Sequence, residues 1–331
     1  RSGRVTGVQT CALPIYSDEK GKPETLGIQS GVSEIDTVTN GFQYGCILAI
    51  CAFTSHGKST LVDSILFKNA LEGKKCCIVS LELAPRIVWS FLQARYLYQV
   101  KGLQVSSQDI LFRKLTSDME KKVSEYDEDF KRDICDNLLI IDESLLSKKV
   151  VTNYQALMKL FRKIESKLGG LDLVAFDHVG QFELMFPTMG NQILKVLQSV
   201  AKTYVNKSGT NISMIWAVQC NREGEKRARK RGGVYDMQAI SDLNEVERSA
   251  TYVLFMYTSD NIGTLDCKLS INLLMFSLFK IAVANLAASF NETSSDSFSV
   301  TSVSSGLSFS TSSLSSEVLD NDCNGSSLLS I

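Results

Sequence analysis

Ala52 to Thr60 reads Ala-Phe-Thr-Ser-His-Gly-Lys-Ser-Thr, and its last four residues have the types and order that hold a phosphate. Gly57 lets the backbone approach an anion closely. Lys58 would reach the β- and γ-phosphates, and the Ser59 hydroxyl would hold Mg²⁺. Backbone N–H groups at the start of the following helix, with its dipole, complete such a loop. Further along stand a glutamate, Glu82, after an apolar run, and an aspartate, Asp177, that ends Leu-Asp-Leu-Val-Ala-Phe-Asp. Asp177 has the setting of a carboxylate that binds Mg²⁺ through its water shell. Glu82 could orient an in-line water, if its strand neighbours the phosphate loop, or could be an ordinary solvated glutamate. Gln219 closes another apolar run, and six of the ten residues from Arg222 to Arg231 are basic.

These groups need elements that bring them to one edge. Apolar runs of strand length cover 46–53, 74–83, 137–144, 171–177, 212–219 and 250–257, with helical patterns at 58–73, 86–100, 148–168 and 190–206 between them. Continuous apolar strands separated by helices predict an α/β fold whose mainly parallel sheet is covered on both faces. The bare Gly-Lys-Ser triplet recurs by chance. Between a buried strand and a helix it is specific for nucleotide. The expected binding set is Ala52, Thr54, Ser55, His56, Gly57, Lys58, Ser59, Thr60 and Asp177.

Composition sets limits. The net charge is −1, with 44% hydrophobic and 21% charged residues. That suits one large or two smaller globular units, and any nucleic-acid binding must come from a local patch. Nine cysteines, unevenly placed and partly in apolar runs, read as reduced thiols of a cytosolic protein. No C-x-x-C pair occurs and only His56 and His178 are present, which argues against structural zinc. The basic run could be only a solvated face. Placed on a flexible loop after a core strand, its Arg222, Lys226, Arg227, Arg229, Lys230 and Arg231 could track a nucleic-acid backbone. It holds no aromatic residue, so base stacking is not indicated there.

The stretch from Ile28 to Thr60 resembles the ATPase domain of DnaB-type replicative helicases. The matching residues are Ser30-Gly31, Ile35-Asp36, Gly41-Phe42, Gly45, and Ala52 with Gly57-Lys58-Ser59. In that family the phosphate loop opens on alanine, so Ala52 is the family's own choice. "VSLEL" (79–83), "LDLVAFDHV" (171–179), "WAVQCNRE" (216–223) and "SDLNEVERSA" (241–250) extend the resemblance to about residue 274. It implies a RecA-like P-loop ATPase core and ATP with Mg²⁺. It implies 5′-to-3′ unwinding by a homo-hexamer moving on single-stranded DNA, with a primase and a helicase loader as possible partners. Glu82 would be the catalytic base, Lys58 the phosphate ligand, and Gln219 the γ-phosphate sensor linked to the DNA-binding loop. His178 would hydrogen-bond behind Asp177 without ligating metal. Thr251 stands where the family has aspartate, and the last segment is short, which suits a divergent, phage-like branch. The implied setting is the cytoplasm of a bacterial or phage-infected cell.

Both ends depart from this pattern. Residues 5–15 look like a translated sequencing adapter, so 1–16 are set apart, with 17–27 a linker and 28–274 the ATPase domain. The family's primase-contacting N-terminal domain is not expected within the chain. Residues 269–290 are apolar over a span-like length, but Asn272, Lys280 and Asn285 interrupt them. After Lys280 there is no Lys or Arg, and 289–331 are about two-fifths serine. A lost reading frame near 275 accounts for both features, with 275–331 disordered or artefactual. "CKLSINLL" (267–274) resembles the strand before the family's arginine-finger turn, yet no basic turn follows. As written, the chain should bind nucleotide and hydrolyse it poorly. Two other readings remain: a RecA/RadA-like recombination or repair ATPase, which shares the G-x-x-x-[IL]-D opening, and a nucleotide-binding module that has lost turnover.

Overall fold

The computed structural model describes residues 27–240, 244–258 and 267–273. The adapter-like and linker residues before Gly27, the Ser241-Asp242-Leu243 match, the expected finger turn and the serine-rich tail lie outside them.

Two short strands, β1 (Gly27–Ile28) and β2 (Phe42–Gln43), pair antiparallel around helix α1 (Ser33–Thr39). The central sheet has seven strands. They are β3 (Ile47–Ala52), β4 (Cys76–Ser80), β5 (Leu138–Ile141), β6 (Leu173–Asp177), β7 (Ser213–Gln219), β8 (Tyr252–Thr258) and β9 (Cys267–Leu273). Their order is β5-β4-β6-β7-β3-β8-β9, parallel throughout except that β9 runs against β8. All six residues of β3 are buried, as a central parallel strand requires. Ile47, Ala49 and Cys51 enter the core on one face, and Leu48, Ile50 and Ala52 the core on the other.

Helix α2 (Lys58–Leu71) packs on the second face, burying Leu61, Val62, Ile65, Leu66, Phe67 and Ala70. Helix α3 (Pro85–Gln99) shares that face; Pro85 starts it where a missing N–H costs nothing. Residues 101–136, unassigned from the sequence, fold as α4 (Ser107–Phe112), α5 (Ser117–Ser124), α6 (Asp127–Phe130) and a π-helical turn. The opposite face is covered by α8 (Tyr154–Leu168), preceded by the single turn α7 (Lys148–Val151). It is also covered by α10 (Gly190–Thr203), which follows the short α9 (Gln181–Met185). No helix among the described residues is long and apolar enough to cross a membrane.

The sheet order corrects one expectation. The strand before Glu82 does not neighbour the phosphate-loop strand: β6 and β7 lie between β4 and β3. The crossover through α2 skips two positions, which later segments of the chain fill. Glu82 therefore stands beside His178, just past the end of β6.

Candidate nucleotide site and basic helix

The phosphate loop leaves β3 at Ala52 and enters α2 at Lys58. Ser55 (φ 66°) and Gly57 (φ 81°) are left-handed, which turns the chain tightly enough to aim the helix start into the crevice. Gly57 offers no side-chain cap to α2, and the first intrahelical bond runs from Leu61 N to Gly57 O. The amides at the helix start are thus directed at an external acceptor, the arrangement an anion needs. Thr54, Ser55, Gly57 and Thr60 are exposed, Ser59 is half-buried, and His56 and Lys58 are buried.

Lys58 Nζ lies 3.3 Å from Asp177 Oδ1, with both side chains about nine-tenths buried. A buried pair of this kind holds its charges only because each has the other. Phosphate oxygens could take over the lysine, and a cation the carboxylate. Ser59 and Asp177 fit Mg²⁺ as partial ligands. No cluster of three His, Cys, Asp or Glu side chains able to hold a metal occurs among the described residues. Phosphate oxygens and water would complete the shell, as is usual for this ion.

Register explains the convergence. Ala52 pairs with Gln219 across β3 and β7, and Ser80 with Asp177 across β4 and β6. The ends of β6 and β7 thereby meet the loop, through Asp177 and Gln219, with the end of β4 beside β6, at the carboxyl edge of the sheet, where open α/β sheets bind ligands. Gln219 Nε2 donates to Thr54 Oγ1 at 2.7 Å, tying the end of β7 to the phosphate loop. Glu82 stands two residues beyond β4 with its carboxylate half-exposed, 3.7 Å from His178 Nε2. The Asp177–His178 peptide is cis. Burial, then the nearby Lys58 charge, holds the His178 imidazole below its ordinary pKa, against Glu82 and Asp177. A neutral imidazole there can carry a hydrogen bond without competing for the cation site. Its Nε2 lies 3.3 Å from Gln181 Nε2.

Two ionic residues here were not foreseen. Asp63, one turn into α2, is buried, and its carboxyl is pushed up to about 7 by burial and by Asp177, with Arg95 opposing. Arg95 of α3 also donates to Ser64 Oγ at 2.5 Å. The available signal was an acid within the otherwise apolar stripe Leu61-Val62…Ile65-Leu66.

The basic segment corrects a second expectation. It is not a loop but helix α11 (Arg222–Lys230). Asn221 caps it, accepting from Gly224 N at 2.6 Å. Glu223 and Glu225 lie in its first turn and Arg227, Arg229 and Lys230 in its last, matching the helix dipole. Gly224 is required by packing: a Cβ there would meet Ala239 Cβ at 2.4 Å. Much of the positive charge is engaged internally. Asp236 holds Arg227 at 3.0 Å and Arg231 at 2.9 Å, Glu225 holds Arg229 at 2.9 Å, and Glu223 holds Lys226 at 2.9 Å. Arg222 and Lys230 are exposed, and no ion pair engages them among the described residues.

Comparison with known proteins follows the same lines. Residues 27–272 match the DnaB-like helicase C terminal domain family. The chain is 24% identical over 246 residues to the replicative DNA helicase DnaB of Helicobacter pylori strain ATCC 700392 / 26695, covering 73% of this chain and 46% of that protein. It is 23% identical over 253 residues to the same protein of strain J99, covering 75% and 47%. It thus spans about half the length of the curated relatives it matches. Among solved structures, an ATPase domain aligns with a TM-score of 0.53 at 18% identity, over 72% of this chain and 78% of that one. A DnaB-like replicative helicase, solved to show its interactions with primase, aligns with a TM-score of 0.54 at 17% identity, over 76% and 60%. These two structures share the fold. From the sequence match across 27–272, the chain belongs to the DnaB-like helicase C-terminal domain family.

Proposed function

We propose that this chain is the ATPase motor of a replicative DNA helicase, hydrolysing ATP to move 5′-to-3′ along single-stranded DNA and displace the complementary strand. The observation that carries the reading is the junction at the end of β7. Gln219 bonds the phosphate loop, and the capped basic helix begins three residues later. One strand end thus touches both the candidate nucleotide site and the candidate DNA site.

In this reading Lys58 leaves Asp177 for the β- and γ-phosphates as ATP enters, and the amides at the start of α2 cradle them. Thr54, Ser55, His56, Gly57 and Thr60 form the wall of the loop, with Ala52 at the strand exit. Ser59 and Asp177 would hold Mg²⁺, which would supply positive charge beside the phosphate oxygens. Glu82 orients the attacking water and accepts its proton, with His178 steadying the carboxylate. Gln219 responds when Thr54 turns to phosphate. Arg222, Lys226, Arg227, Arg229, Lys230 and Arg231 provide the cations that follow the strand. The working form is a homo-hexamer in the cytoplasm of a bacterial or phage-infected cell, with a primase and a loader as partners.

Glu82→Gln tests the core of the reading. Steady-state phosphate release should fall by about 10²- to 10⁴-fold, with affinity for mant-ATP kept within about threefold. Turnover within tenfold of wild type would remove Glu82 from the base role. On a forked DNA substrate, strand displacement supports a helicase, whereas strand pairing without displacement would favour the recombinase reading.

A further inference from the structure

An aromatic chain joins the phosphate loop to the acid that restrains α11. His56, in the loop, meets the Tyr257 ring edge-on at 5.4 Å between centroids. Tyr257 meets Tyr235 at 6.1 Å, and Tyr235 stacks on Phe255 at 5.5 Å and 19°. All four rings are at least nine-tenths buried. The Tyr235 hydroxyl is buried and makes no hydrogen bond among the described residues. Tyr235 is therefore joined to the loop by its ring, through Tyr257.

The residue after Tyr235 is Asp236. Its carboxylate takes Arg227 through both Nε (3.3 Å) and Nη2 (3.0 Å), and Arg231 through Nη1 (2.9 Å). Burial would raise the Asp236 carboxyl, but the two guanidinium groups hold it below the ordinary range. Little slack separates ring from helix. Gly233 N bonds Ala228 O at 2.8 Å, and Asn221 N bonds Ala239 O at 2.9 Å. A packed interior moves in discrete steps and does not yield smoothly. The ring contacts give a displacement of the loop at His56 a contiguous route to Tyr235 and, one residue on, to the Asp236 clamp. This path is separate from the Gln219–Thr54 bond.

We infer that Tyr235 is a positioning residue through which phosphate occupancy of the loop sets how firmly Asp236 holds Arg227 and Arg231, and so how many cations α11 presents to a single strand. The inference rests on the reading of α11 as the DNA-contacting element. It makes nucleotide and DNA affinities reciprocal: each ligand alters the other's binding by the same factor.

The test measures binding of fluorescein-labelled oligo-dT to the full chain, without nucleotide and saturated with ATPγS. For wild type the two affinities should differ by about fivefold or more. In Tyr235→Leu the ratio should fall to within about twofold of unity, with mant-ATP binding retained. Tyr235→Phe, which keeps the ring, should keep the ratio. Asp236→Asn lies outside the aromatic core and covers the case in which Tyr235→Leu does not fold. It should bind oligo-dT tightly in both states and also lose the ratio. A wild-type ratio in Tyr235→Leu, or in Asp236→Asn, overturns the inference and leaves the DNA-binding reading standing. Wild-type protein that binds no oligo-dT in either state overturns both.

Discussion

Asp63→Asn isolates the electrostatics beneath the nucleotide site. Asp63 is about nine-tenths buried, and its carboxyl titrates near 7, against an ordinary value of 3.8. A raised carboxyl pKa means that the folded protein keeps the proton over an interval in which the unfolded chain has lost it. The favourable contribution is full below 3.8 and is lost as pH rises to about 7. Within that interval wild type loses about 1.4 kcal/mol of stability per pH unit through this group. Asparagine has nearly the same shape and does not titrate. The stability difference between Asp63→Asn and wild type should therefore shift in favour of the variant by about 2.5 kcal/mol between pH 5 and pH 8, and level off above. Urea unfolding of both proteins at several pH values measures it, and taking the difference cancels every other titrating group. A flat difference across that range would refute the reasoning. It would mean that Arg95 compensates the buried charge, or that water reaches it.

Other perturbations follow from the same structure. Arg222→Ala and Lys230→Ala remove the two cations of α11 that no ion pair engages among the described residues. Each should flatten the dependence of log affinity for single-stranded DNA on log salt by about 0.7, whereas an unchanged slope would take that residue off the strand's path. Trp216 is fully buried in the middle of β7. Trp216→Ala should lower unfolding stability by about 3–5 kcal/mol in urea melts, and a loss under about 1 kcal/mol would contradict so tight a core.

The sheet was legible because central parallel strands are buried on both faces, and runs such as Ile47–Ala52 have no polar positions to hide. The phosphate loop was legible because its chemistry is local: strand exit, glycine and lysine are adjacent in the chain. The segment 101–136 was not, because its helices are short and amphiphilic, and tertiary packing decides them more than propensity does. The basic run misled for a related reason. Its charge density looked like a loop, but Asn221, the acidic first turn and the fit of Gly224 against Ala239 make it a helix.

By itself the sequence determined which groups could meet a nucleotide: Lys58 and Ser59, with carboxylates after apolar runs as candidates. It also determined that an alternating strand and helix pattern would carry them. Only the tertiary structure decided their arrangement. Strand order placed β6 and β7 between β4 and β3, so that Glu82 stands beside His178 and Lys58 pairs with Asp177. Folding also paired most of a cationic segment with nearby acids and set Tyr235 beside Tyr257, one residue before Asp236. Side-chain chemistry is a property of each residue, whereas burial and pairing depend on crossovers that bring together positions over a hundred residues apart.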